Sequence, residues 1–181
     1  PPIAVRQNYH LNKVIGNNET GFRGQQDSTY RKEGWEFILA GGALYNNLDY
    51  SFTANHESGT FLYPPKQPGG GSVSLRTQLG YLKDFMDSFD FVRMKPDVTF
   101  IKGGLPKGAR AHVLSDAGKQ YAVYLLHGNR VTLSLTLPAG TYNVEWMDPV
   151  TGAYPKKERV QHSGGVVKIG SPEYAYDIAL K

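Results

Sequence analysis

Glu19 is the side chain best placed to do chemistry. It closes the short apolar segment Lys13-Val14-Ile15-Gly16-Asn17-Asn18, and the turn formers Gly21 and Gly24 follow it. In parallel α/β architectures, reactive groups collect at the C-terminal ends of strands, so a carboxylate at this point is a candidate reactive group, the competing reading being a surface glutamate that caps the next turn. Asn17 and Asn18 beside it can orient a hydroxyl group or the carboxylate itself. A second set follows Ala43 to Tyr50, where Asp49 and Tyr50 precede Phe52, His56 and Glu57. Aromatic faces beside carboxylates, amides and an imidazole are the usual mixture of a ligand pocket, so Asn18, Asp49, Tyr50, His56 and Glu57 are the expected substrate contacts. Structural hydrogen bonding is the competing reading for Asp49 and Glu57.

Other chemistries find no support. The sequence has no cysteine, and its five histidines, His10, His56, His112, His127 and His162, lack metal-ligand spacing. No metal site and no cofactor is therefore expected. Gly69-Gly70-Gly71 and Gly103-Gly104 do not lead into a phosphate-binding pattern with Lys-Ser/Thr. The formal charge of +4 comes from 20 basic and 16 acidic side chains, and the densest basic run, Lys156-Lys157-Glu158-Arg159, is interrupted by an acid. This reads as a solvated edge, so no nucleic-acid partner is expected. No apolar run approaches the roughly 20 residues that cross a bilayer, and no membrane partner is expected.

The elements that must position these groups fall into two halves. Up to about residue 95 the order is a short ambiguous start, a strand from Lys13 to Glu19, a helix from Thr29 to Leu39, a strand from Ala43 to Tyr50, a loop from Ser51 to Gly71, and a helix. Asp27 or Ser28 can cap the first helix and Gly41-Gly42 can stop it. The last helix carries Leu75, Leu79, Leu82, Met86 and Phe89 on one stripe, with Arg76, Lys83, Asp84 and Asp87 opposite. From about residue 96 the period becomes two. Strands are expected at Arg110–Leu114, Gln120–Leu126, Arg130–Leu137, Thr141–Trp146, Gly165–Ile169 and Tyr174–Leu180, separated by turns such as Asp116-Ala117-Gly118 and Asp148-Pro149-Val150-Thr151-Gly152. The expected domains are thus 1–95, α/β, and 96–181, an antiparallel β-sandwich. Trp35 and Trp146 are expected in the cores.

Four segments carry a family resemblance. Asn17-Asn18-Glu19-Thr20-Gly21-Phe22, Tyr30-Arg31-Lys32-Glu33-Gly34-Trp35 and Leu39-Ala40-Gly41-Gly42-Ala43-Leu44-Tyr45-Asn46-Asn47-Leu48-Asp49-Tyr50-Ser51-Phe52 resemble the end of the TIM barrel in glycoside hydrolases of the apiosidase-like, DUF4038-type group. Gly140-Thr141-Tyr142-Asn143-Val144-Glu145-Trp146-Met147-Asp148-Pro149-Val150-Thr151-Gly152 is similar to the β-sandwich appended to those barrels, the so-called collagen-binding domain. The resemblance implies the last two β/α units of a TIM (β/α)8 barrel followed by the sandwich, with the first six strands absent. It implies a carbohydrate substrate, export from the cytoplasm, and Glu19 as nucleophile or base, the acid partner lying on the missing N-terminal part of the same barrel. That missing part is then the chain's first partner, and the opening Pro1-Pro2-Ile3 fits an excised piece. The alternative is a non-catalytic carbohydrate-binding or structural module.

Overall fold

Two parallel strands and three helices make up the first part of the computed structural model, which describes residues 2–181. The chain divides into two compact units, Pro1–Met86 and Asp87–Lys181. In the first, helix α1 (Pro2–Asn8) and a 3-10 turn (Tyr9–Leu11) lead to strand β1 (Gly16–Thr20), helix α2 (Asp27–Leu39), strand β2 (Leu44–Asn47) and helix α3 (Val73–Asp87). β1 and β2 pair in parallel, and among the described residues they form a sheet of two strands. The strand-helix alternation makes this unit a partial (β/α) barrel, as its sequence order suggests.

Packing explains where the elements begin and end. Val5, Phe37 and Ala40 are buried together, with Ile15, Ile38 and Tyr45 against them, and the Trp35 and Phe85 rings lie 5.1 Å apart. Of the α3 stripe, Leu75, Leu82 and Met86 are buried and Leu79 is half-buried, while Phe89 lies past the helix end at Asp87; Phe85 and Gln78 are buried beside them. α3 starts two residues before the apolar stripe because the Ser72 hydroxyl accepts the Leu75 N–H at 2.9 Å. That hydroxyl in turn donates to Asp27 Oδ2 at 2.7 Å, which ties α3 to the first turn of α2. α2 stops at Gly41, whose φ of 100° is open to glycine at no steric cost. β1 starts later than its apolar run because Val14 is 84% exposed, outside the pairing. β2 ends at Asn47, where the Leu48 N–H turns to bond Thr20 O at 2.8 Å.

The second unit is an antiparallel β-sandwich. Its strands are β3 (Lys95–Pro96), β4 (Ile101–Gly103), β5 (Arg110–Asp116), β6 (Gln120–Leu126), β7 (Thr132–Leu137), β8 (Gly140–Met147), β9 (Lys156–His162), β10 (Gly165–Gly170) and β11 (Asp177–Leu180). One sheet has the order β3-β5-β6-β11-β8-β9 and the other β10-β7-β4. Leu133, Leu135 and Leu137 of β7 alternate inward to meet Val123, Leu125, Val144, Trp146, Ile178 and Leu180 of the larger sheet. Both tryptophans, Trp35 and Trp146, are fully buried. Asp148 organises the turn after β8 by accepting the Val150 N–H at 2.8 Å and the Thr151 hydroxyl at 3.0 Å. The run from Lys156 to Arg159 belongs to β9, the outermost strand of the larger sheet, paired to β8 over its whole length.

Candidate functional site

A fault in the β1–β2 ladder sets the geometry at the strand ends. Asn17 lies opposite Tyr45 and Thr20 opposite Asn47, so three steps along β1 match two along β2. Asn18 and Glu19 together therefore face the single residue Asn46, the arrangement of a β-bulge, which re-aims side chains at strand ends. Thr20 and Tyr45 point toward α2. There the Thr20 hydroxyl donates to Glu33 Oε2 at 2.7 Å, and the Tyr45 phenol donates to Tyr30 O at 3.0 Å with Glu33 Oε2 at 3.3 Å. Glu33 is 6% exposed, and its other oxygen has the Arg23 guanidinium at 3.7 Å. Burial and the adjacent Glu33 carboxylate push the Tyr45 phenol well above its ordinary value. Glu33 thus fixes one face of the strand pair and takes no part on the other.

The bulged residues Asn18 and Glu19 are exposed, as is Asn46. The Asn46 amide donates to Asn18 O at 2.8 Å, which holds the bulge. The Glu19 side chain makes no hydrogen bond or ion pair among the described residues, so its carboxylate is available to a ligand. Asn47 beside it keeps a buried amide oxygen without a donor.

Of the remaining sequence candidates, Asp49 belongs to a different cluster, built around Arg76 on the polar face of α3, while Tyr50, His56 and Glu57 lie along the same loop without touching that arginine. Arg76 of α3 reaches Asp49 Oδ2 at 2.5 Å, Ser51 Oγ at 3.0 Å and Gly59 O at 2.9 Å, and its guanidinium lies 4.8 Å from the centre of the Phe52 ring. Asp49 uses its second oxygen on the Ser51 N–H at 3.0 Å and the Ser51 hydroxyl at 2.5 Å. Its carboxylate is saturated, and 16% of the side chain is exposed. Glu57 accepts the Asn55 N–H at 3.1 Å and so holds a turn in which Asn55 has a φ of 68°. The His56 ring lies 5.3 Å from Phe61 and 3.5 Å from Thr60 Oγ1. Tyr50 is half-buried, and its N–H bonds Gly70 O at 3.1 Å.

The structure therefore brings Glu19 together with Asn18 and Asn46, and it brings Asp49, Ser51, Phe52 and Gly59 together through Arg76. Parallel pairing puts the C-terminal ends of β1 and β2 on one edge, with the 48–72 loop rising from that edge. An exposed carboxylate flanked by amides can attack or deprotonate a polyhydroxylated substrate. Asp27, Glu33, Asp49 and Glu57 are each committed to internal bonds, so the unit offers no equally available second acid among these four. Among the described residues no group of three or more His, Asp or Glu side chains is arranged to hold a metal ion, and no helix is long and apolar enough to cross a membrane.

No protein-family model matches the sequence, and neither does any curated protein. Solved structures do share the fold. A glycoside hydrolase superposes with a TM-score of 0.64 at 19% identity, over 93% of this chain and 42% of that one. A glycoside hydrolase family 5 protein from Bacteroides vulgatus ATCC 8482 gives a TM-score of 0.64 at 15% identity, over 98% of this chain and 43% of that one. A GH30 endoxylanase from Clostridium papyrosolvens C71 gives 0.54 at 12% identity, over 98% and 43%. The chain spans less than half the length of each, and at these identities the likeness is one of fold.

Proposed function

We propose that this chain forms part of a glycoside hydrolase, with Glu19 as nucleophile or base and the acid partner on polypeptide outside residues 1–181. The observation that carries the reading is the bulge that turns an unbonded Glu19 carboxylate outward at the C-terminal end of a parallel strand, in a fold shared with glycoside hydrolases. In such a reaction one carboxylate attacks the anomeric carbon, or activates water to do so, while an acid protonates the departing glycosidic oxygen. The separation of the two carboxyl groups decides between retention, at about 5 Å, and inversion, at a wider gap. Asn18 would bind a substrate hydroxyl. Asp49, Tyr50, His56 and Glu57 would wall the site by ordering the 48–72 loop. The finer assignment to the apiosidase-like group rests on the four sequence segments that resemble it.

The test is glycan hydrolysis by the chain together with the polypeptide that completes the barrel, compared with Glu19→Gln. Losing the carboxylate should lower kcat by about 10²–10⁴ with KM little changed. Turnover within roughly threefold of the parent would remove Glu19 from the mechanism. A second reading, a non-catalytic carbohydrate-binding or structural module, draws on the internal commitment of Asp27, Glu33, Asp49 and Glu57. Saturable glycan binding by the completed protein without turnover would favour it.

A further inference from the structure

The larger sheet of the sandwich contains a place where a strand is missing. β11 runs between β6 and β8, but it pairs only with Val123 to Leu126 on one side and with Trp146 and Met147 on the other. Lys181 adds one further pair, exchanging both backbone bonds with Glu145 at 2.8 and 2.9 Å. Past that point the first halves of β6 and β8 flank a gap. In an antiparallel ladder the N–H and C=O of alternate residues point to alternate neighbours. Glu145 points its pair at β11, so Asn143 and Thr141 point theirs into the gap rather than at β9. On the other flank, the His127 N–H bonds Tyr176 O at 2.9 Å, which makes the odd-numbered residues of β6 the ones that face β11. Tyr121 therefore faces the gap as well.

Beneath the gap lies a cavity of about 460 Å³, with Val123, Leu135, Leu137, Val144 and Ile169 in its lining. Phe100, Tyr121 and Tyr142 also line it, with ring centres 4.8 Å and 6.4 Å apart along the series. Polar groups line it too, Gln120, Thr141, Asn143 and Glu145 among them, and Ser88 and Phe89 border it. An extended peptide would satisfy both flanks and bury every second side chain.

We infer that the gap between β6 and β8 is an acceptor site for one extended polypeptide strand, supplied from outside residues 1–181, with an apolar side chain opposite Tyr121. The register follows from the existing pairs. Leu180 lies opposite Val123 and faces the core, so a residue continuing the line of β11 directly past Lys181 would lie opposite Tyr121 and face the cavity. The next would bond Asn143 and face away. Chains that share this fold are more than twice as long as the part matched here, so polypeptide to supply such a strand exists in proteins of this architecture. The inference stands apart from the proposed hydrolase activity, because it concerns the second unit alone.

The experiment compares the 181-residue chain with two versions extended past Lys181, one by Leu-Thr-Leu-Thr and one by Thr-Leu-Thr-Leu. Composition is equal and only the phase differs. The first should raise Tm by about 4 °C and slow amide exchange at Tyr121, Thr141 and Asn143 by roughly tenfold, while the second does neither. A free acetylated Lys-Leu-Thr-Leu-Thr amide, added to the unextended chain, should slow exchange at the same three amides even if an extended version fails to fold. Equal effects of the two phases, or unchanged exchange at all three amides, would overturn the inference. So would xylobiose shifting the Tyr121 and Tyr142 resonances at concentrations where the peptide does not, since the cavity would then be a sugar site.

Discussion

Replacing Arg76 with alanine removes a side chain that fastens the 48–72 loop to α3. Five contacts go at once: Asp49 Oδ2 at 2.5 Å, Ser51 Oγ at 3.0 Å, Ser58 O at 3.5 Å, Gly59 O at 2.9 Å and the face of Phe52 at 4.8 Å. A hydrogen bond between charged groups contributes about 1.5–3 kcal/mol and one to a carbonyl about 1. An exposed cation–π contact adds about 0.5–1 kcal/mol. The Arg76 and Asp49 side chains are 31% and 16% exposed, so water screens the pair in part, and contacts sharing one residue do not add. A net loss of about 2–4 kcal/mol is expected, felt first as opening of the loop rather than of the helices. Urea unfolding gives the global value. Amide exchange at Tyr50 and Phe61, which bond Gly70 O and Ser51 O, reports the loop. Arg76→Lys should keep the charge but lose the fork, for about half the effect. If Arg76→Ala stays within about 0.5 kcal/mol of the parent and both amides exchange at the parental rate, the loop is ordered by something else and the argument fails.

Tyr45→Phe should cost about 1–2 kcal/mol near neutral pH, through the lost bond to Tyr30 O and the contact with Glu33. Because the folded-state phenol sits above its ordinary value of 10.0, the parent holds a proton that its unfolded chain sheds above that pH. That contribution is complete below about pH 10 and falls by up to roughly 1.4 kcal/mol per unit above it, so alkaline melts of parent and variant should converge. Gly71→Ala should destabilise by about 1–3 kcal/mol or more in chemical denaturation, since its φ is 141° and an added Cβ would overlap the Asp49 side chain. Trp146→Phe opens a void but also removes a buried indole N–H that has no acceptor. Its cost should be about 1 kcal/mol, well under the roughly 2–5 expected for Leu133→Ala, as paired denaturant curves would show.

Elements with a clean period are legible in the sequence alone. The α3 stripe and the alternation of β7 each bury the face that their spacing marks, because burial and period express the same geometry. β9 was legible as an edge but not as a strand. Its charges occupy both faces, and backbone pairing to β8 holds it without an apolar row. β3 and β4 are two and three residues long, too short to carry a period. At the site, the type of residue at Glu19 and its place after a strand could be read, but the bulge that aims it could not, since register is a property of two strands. Glu33 sits near a helix start and reads as a charge favourable to the helix dipole. Only the approach of Thr20 and Tyr45 makes it a buried knot. Arg76 shares the helix face of ordinary solvated residues, and its partners lie 17 and 27 positions back along the chain.

The two outer strands of the larger sheet have a bearing on colloidal behaviour. Fibrils grow when a long, flat, uncharged strand margin accepts another chain. β3 ends that possibility on one side by stopping after Lys95 and Pro96, the second of which has no N–H to give. β9 ends it on the other with Lys156, Lys157, Glu158 and Arg159, of which Lys156 pairs with Glu158 and Lys157 with Glu145 within the fold. A concentrated solution of this chain should therefore resist side-by-side stacking through these margins, and whatever self-association light scattering detects should be traced elsewhere.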